Sequence, residues 1–273
     1  MIFLKKLIEF PGFLYKNFFL ISVLTKKEFQ SKYKNSILGL LWAFLIPTAL
    51  FATYIFAFTF VFKAKWGINT NYDSFTFAFL IFIGLMTFNF FSESISRSIN
   101  IIISNPSYVK KINFPLEILV FVNVISVLIN YLITLFVFIL IMFFYKDFSF
   151  LYIFLNMPLV LFFYFLLALG MSFIFSILGV IFKDISQIIS LLITCLLFGS
   201  AVFYPVDIIP DKYQFIFQYN PIVLVIDLSR KIIFFQEIFS MMEYSIFFIE
   251  AIFVFVIGFI FFDIFKKNLA DEI

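Results

Sequence analysis

Runs free of Asp, Glu, Lys and Arg divide this chain into long apolar intervals separated by short polar ones. Five of them, 35–62, 74–92, 118–145, 148–182 and 185–206, come close to or exceed the ~20 residues a helix needs to cross a hydrocarbon layer. A sixth span is readable at 244–265, although Glu250 interrupts it, because its neighbours are almost all Ile, Phe, Val and Ala. The fourth interval exceeds one crossing, and Pro158 is expected to start its helix, leaving 148–157 as an interfacial lead-in. The apolar stretch 213–226 is too short to cross and contains Pro221, so it is expected to form a re-entrant hairpin.

These elements predict an all-α integral membrane protein. Residues 1–36 form an interface segment, and 37–203 hold spans one to five with a loop helix near 105–113. A re-entrant region follows at 204–242, then the sixth span and tail at 243–273. Lysine and arginine set the orientation, since the loops on one side of the membrane retain the basic excess. Thirteen of the 19 basic residues fall on the side holding both ends and six on the other, which places both termini in the cytoplasm.

Composition strengthens this picture. Hydrophobic residues make up 64% of the 273 positions and charged residues 13%, against about half and a quarter in soluble domains. The 49 phenylalanines reduce the value of any aromatic stripe as a signal. A net charge of +3 is too small to point to nucleic acid as a partner. Cys195 is the single cysteine, so neither an internal disulfide nor a cysteine-based metal site is available. The opening Met1-Ile2-Phe3-Leu4-Lys5-Lys6 lacks the order of a signal peptide and is expected to remain on the protein.

The absences exclude several chemistries. With no histidine, every Ser-His, Cys-His and His-ligated metal arrangement is ruled out. None of the eight glycines is followed by Lys, so the phosphate-cradling G-x-x-x-x-G-K-[ST] loop does not occur in these residues. The expectation is therefore no catalytic residue, no cofactor and no metal in this chain, with ATP and Mg held by a separate subunit if transport is ATP-driven. A membrane enzyme is a reading from another class, but its candidate acids, Glu93, Asp207, Asp227 and Glu250, are scattered. An ATP-independent flippase would normally show more spans or an internal repeat.

Four segments carry further information. Residues 13–36 mix Phe18, Ile21, Leu24 and Phe29 with Lys26, Lys27, Lys32, Tyr33 and Lys34, as in an amphipathic helix at a membrane surface or a basic anchor. In the second cytoplasmic segment Asn105 can cap a two-turn helix that Pro106 begins, Lys110 and Lys111 complement, and Pro115 ends. Such a helix is too short to stand alone and needs a packing partner, unless it is a plain connector. Glu93 and Arg97, one turn apart, read as a mutually neutralised pair, and Glu250 reads as either a functional group or a snorkelling one. Phe44, Phe51, Tyr54, Phe58 and Phe62 share one face of the first span, which offers a wall for sugar rings or ordinary helix and lipid packing.

Taken in order, these motifs resemble the type 2 ABC-exporter permeases that move O-antigen, capsule and teichoic-acid chains. Lys32-Tyr33-Lys34-Asn35-Ser36-Ile37-Leu38-Gly39-Leu40-Leu41-Trp42, followed by Pro47, is similar to the family's interface helix running into L-G-x-L-W, with Lys27-Glu28-Phe29 in place of the usual Arg-Asp-Leu. Asn105-Pro106 through Tyr108, Val109, Lys110 and Lys111 to Phe114-Pro115 resembles the segment that docks into the ATPase. Phe182-Lys183-Asp184-Ile185 resembles the F-R-D-[IV] turn, and Phe203-Tyr204-Pro205 through Asn220-Pro221 resembles the external re-entrant region. The tail from Phe265 through Asp271 also fits. The resemblance implies a channel made by a homodimer in the bacterial inner membrane, two copies of an ABC ATPase, membrane lipid around it, and a lipid-linked polysaccharide as cargo. It also implies Phe44, Phe51, Tyr54, Phe58, Phe203 and Tyr204 as channel-lining candidates.

Overall fold

The computed structural model describes residues 2–32, 36–63, 66, 73–110, 114–145, 148–237 and 241–266. Every regular element among them is helical. Helices α1 (Ile2–Lys16) and α2 (Phe18–Ser31) meet at 70° across Asn17, whose side-chain amide donates to Phe13 O instead of capping α2. The amphipathic element expected at 13–36 is thus two helices, and it begins further back. Tyr33, Lys34 and Lys111 lie outside the described residues, as does the tail from Lys267.

Helix α3 (Trp42–Ile55) is entered through a short 3-10 turn, Gly39–Leu41, and leaves through a π turn, Phe56–Val61. Gly39 has a φ of 51°, the left-handed region that glycine enters without a Cβ clash, and this accounts for a glycine at the head of the span. Helix α4 (Ser74–Ile101) is capped by Asp73, which accepts from Thr76 N at 2.9 Å, and it runs past the expected end at 92 through the Glu93 and Arg97 pair. Helices α5 (Pro106–Val109), α6 (Glu117–Phe143) and α7 (Phe150–Ile181) follow.

Two expectations are corrected here. Pro158 does not begin a helix but lies inside α7, which starts at Phe150 with Ser149 accepting from Tyr152 N. In a bilayer a helix tolerates an internal proline where neighbouring groups reconcile the freed carbonyl. Asn105 stands at the N-cap position of α5 but makes no side-chain capping bond; its side chain donates back to Ile101 O at 2.8 Å, and α5 is a single turn.

Helix α8 (Ile185–Gly199) covers only the first part of the expected span 185–206, and its 15 residues reach about 22 Å, short of the ~30 Å hydrocarbon thickness. The chain then breaks, forms α9 (Asp211–Gln218) and α10 (Pro221–Arg230), passes a π turn at Lys231–Phe235, and returns in α11 (Met241–Phe265). Asn220 caps α10 by accepting from Ile222 N, with Pro221 in the first position where its missing N–H costs nothing. Five helical stretches are long and apolar enough to cross a membrane, Gly39–Val61, Ser74–Ile101, Glu117–Phe143, Phe150–Ile181 and Tyr244–Phe265, or six if the bent α1 and α2 pair makes one crossing.

The core is built around α4, which is buried along most of its length against α6, α7 and α10. Helices α7 and α11 form the most extensive pair. A Cβ at Gly170 would lie 2.6 Å from Phe255 Cα, and one at Gly258 would overlap the Gly170 backbone. Small residues let the two backbones touch, which is how dispersion holds helices together where lipid removes the hydrophobic drive. Buried polar side chains add cross-ties: Asn123 donates to Ser94 O and Ser98 Oγ at 3.1 and 2.8 Å, and Tyr164 donates to Thr87 O at 2.7 Å.

Candidate functional site: coupling segment and transport path

The segment between α4 and α6 is anchored by its own chain. Val109 is buried against the bundle, and the rings of Tyr108 and Phe114 lie 4.7 Å apart across the loop. Ser104 closes the end of α4 by donating to Asn100 O at 2.7 Å. Pro106, Ser107 and Lys110 are left exposed, so the outward edge of this turn is formed by those three and not by Val109.

Helix α2 lies along α6, burying Ile21 against Ile118 and Val122, while Lys26 and Lys27 stay exposed. Its last turns reach α4. Lys32 Nζ lies 3.4 Å from Glu93 Oε1, Glu28 Oε1 lies 3.7 Å from Arg97 Nη1, and Arg97 and Glu93 are paired at 2.5 Å. Burial pushes the Glu28 carboxyl above its usual range, and Arg97 only partly opposes this. The pair expected within α4 is therefore half of a four-residue network that fastens the interface segment to the second span.

A second network, which the sequence reading missed, joins the opposite ends of the chain. Lys6 donates to both oxygens of Asp263, Asp263 also meets Lys266 at 2.8 Å, and Lys266 pairs with Glu117 at the start of α6. Lys266 three residues after Asp263 is a sequence signal for half of this arrangement, whereas Lys6 and Glu117 are brought in only by folding.

The expected aromatic wall does not form one surface. Phe51 is 1% exposed, with its ring 5.0, 4.7 and 5.5 Å from those of Phe79, Phe82 and Phe138, so it fills the contact between α3, α4 and α6. Tyr54 and Phe58 pack partly on the same core, and Phe44 is open. Beside them a cavity of about 200 Å³ between α3, α4 and α6 is lined in part by Lys32, Asn89, Glu93, Asn130, Tyr131 and Thr134. Phe203 and Tyr204 lie half-exposed after the break that ends α8, where Tyr204 OH donates to Phe198 O.

Arg230, one of the six basic residues that the charge pattern assigns to the side away from the termini, is 3% exposed. Each of its three guanidinium nitrogens donates to a main-chain oxygen, of Leu80, Ala201 and Val202. Asp227 and Lys231, one turn before and one residue after it, are paired with each other at 2.9 Å. Glu250 on α11 has one carboxylate oxygen buried with no hydrogen-bond partner among the described residues.

Compared with known proteins, residues 20–234 match the family model described as ABC-2 type transporter. The chain belongs to that family. Two O-antigen export system permease proteins RfbA of Klebsiella pneumoniae are similar to it, at 28% identity over 257 residues and 29% over 254, in each case 93% of this chain and 95% of the relative. A polysialic acid transport protein KpsM of Escherichia coli is 25% identical over 221 residues, 77% of this chain and 80% of its own. The matched region of this ABC-2 type chain runs from α2 to the π turn after α10, so it includes the α2 to α4 network, the α5 turn and Arg230. It is a multi-pass membrane protein of the permease type, in which the ATPase domain is not part of the permease domain.

Proposed function

We propose that this chain is the channel-forming permease subunit of an ATP-driven exporter that moves lipid-linked polysaccharide, of O-antigen, capsule or teichoic-acid type, across the bacterial cytoplasmic membrane. The observation that carries this reading is near end-to-end similarity to O-antigen export permeases, joined to a bundle with enough apolar helices to span a bilayer. Two copies build the path and two ABC ATPase subunits drive it. In this reading α3 and α8, which leave most of their surface uncovered within one chain, are the helices that meet the second copy and the lipid; Ile189 is the sole buried residue of α8.

In this reading both termini and the α5 turn face the cytoplasm. ATP binding draws the two ATPase subunits together, and the exposed edge formed by Pro106, Ser107 and Lys110 receives that movement. Val109 and the tilted ring pair of Tyr108 and Phe114 make the turn stiff enough to pass it to α4 and α6. The purified chain alone is expected to turn over no nucleotide, and ATP-dependent glycan transport into inverted vesicles appears only when the ATPase is added. Turnover by the homogeneous chain, or export without the ATPase, overturns the proposal.

A further inference from the structure

We infer that Arg230 is the positioning residue of the outer end of the transport path, holding the chain break after α8 in place; the inference rests on the exporter reading above. At the break, Ser200, Ala201 and Val202 are buried but no longer helical, and Ala201 has a left-handed φ of 51°. Backbone oxygens buried in that state have no helical N–H to accept from and need another donor. Arg230 supplies it: Nη1 donates to Ala201 O at 2.9 Å and Nη2 to Val202 O at 2.5 Å, while Nε donates to Leu80 O of α4 at 3.1 Å.

The guanidinium is covered on one face by the Trp66 ring, whose centroid lies 4.5 Å from its central carbon. Gly84 of α4 makes the room, since a Cβ there would stand 2.7 Å from Nη2 and 3.1 Å from Val202 O. One planar fork thus joins α4, the break and α10, a geometry that the single ammonium of lysine does not reproduce. The residues immediately after the clamped oxygens are Phe203 and Tyr204, which meet Phe198 and Phe217 at ring distances of 5.6 and 6.5 Å. Arg230 therefore sets where this aromatic group stands, and in the exporter reading that group is the candidate surface met by the sugar rings of the glycan.

The test uses the full complex with its ATPase in vesicles, comparing Arg230→Lys and Gly84→Ala with the wild type. Glycan export, ATP hydrolysis and subunit assembly are measured on the same preparations. Arg230→Lys keeps the charge and loses the fork, and Gly84→Ala keeps every clamp residue and displaces Nη2. Both are expected to assemble and hydrolyse ATP as the wild type does while export per ATP falls by about tenfold or more, the factor given by one lost charge-assisted hydrogen bond. Wild-type export by either variant overturns the inference. A parallel fall of assembly and export in both also overturns it, because the guanidinium then serves folding alone. A wild-type complex that hydrolyses ATP without moving glycan instead refutes the exporter reading itself.

Discussion

Lys6 and Asp263, 257 positions apart in the chain, form an ion pair at 2.8 Å, with the carboxylate buried and the ammonium partly exposed. Lys266 contacts the same carboxylate and carries the connection to Glu117, the first residue after the loop that follows the α5 turn. The N-terminal helix, the last span and the start of the third span thus share one set of charges.

Asp263→Ala removes the buried carboxylate that Lys6 and Lys266 share, leaving Lys266 with Glu117 alone and taking this carboxylate from Lys6. Breaking one side of a buried pair costs about 3–5 kcal/mol, and the exposure of Lys6 reduces this to roughly 1–3 kcal/mol. The variant is expected to unfold at lower temperature in detergent, and Lys6→Met combined with Asp263→Leu recovers part of the loss. Equal melting of Asp263→Ala and wild type counts against the network.

Asp73 supplies a pH-dependent term at the other end of the bundle. Burial acts to raise its pKa, but hydrogen bonds from Thr76 and Tyr145 outweigh it and hold the carboxyl below its ordinary value. The stabilisation is therefore present above the unfolded carboxyl pKa of about 3.9 and is lost as pH falls through the lower folded value. Asp73→Ala is expected to cost about 0.5–2 kcal/mol at neutral pH and to flatten the acid limb of a melting-temperature profile. An unchanged acid limb refutes this.

The glycine contact between α7 and α11 predicts a sharper effect. Gly258→Leu forces the two backbones apart where they now touch, and Gly199→Ala, where a Cβ meets nothing within 4 Å, serves as the control. The first is expected to lose the folded protein from membranes and the second to keep it. Comparable yields, measured by fluorescence-detected gel filtration, refute the packing argument.

At the α5 turn, cysteines placed at Ser107 and Lys110 are expected to cross-link to the ATPase in a Cys195→Ala background, and one at Val109 to react poorly because that position is buried. Reversing Lys110 and Lys111 to Glu is expected to preserve membrane insertion and to lose ATPase association or export. Normal export by the double variant, with no cross-link from positions 106, 107 or 110, makes the turn a connector.

The linear pattern determined that this is a helical membrane protein, because the cost of placing charge in hydrocarbon is written residue by residue along the chain. It placed the five longest apolar stretches and the basic segment before the first of them, it pointed to a short loop helix near 105–113 of which one turn, Pro106–Val109, is formed, and it showed that no nucleotide-binding loop lies in these residues. Those are local properties, decided by composition over a window or by a run of neighbours. Tertiary structure decided what each polar group meets: that Arg230 is spent on main-chain oxygens, that Glu93 and Arg97 extend to Glu28 and Lys32, and that Asp263 joins Lys6 and Lys266. It also decided that Phe51 is interior while Phe44 is open, although both stand on one helical stripe, and that α8 stops at Gly199 inside an apolar run. No window of sequence contains those answers, because each depends on a partner brought near by helices packed from distant parts of the chain.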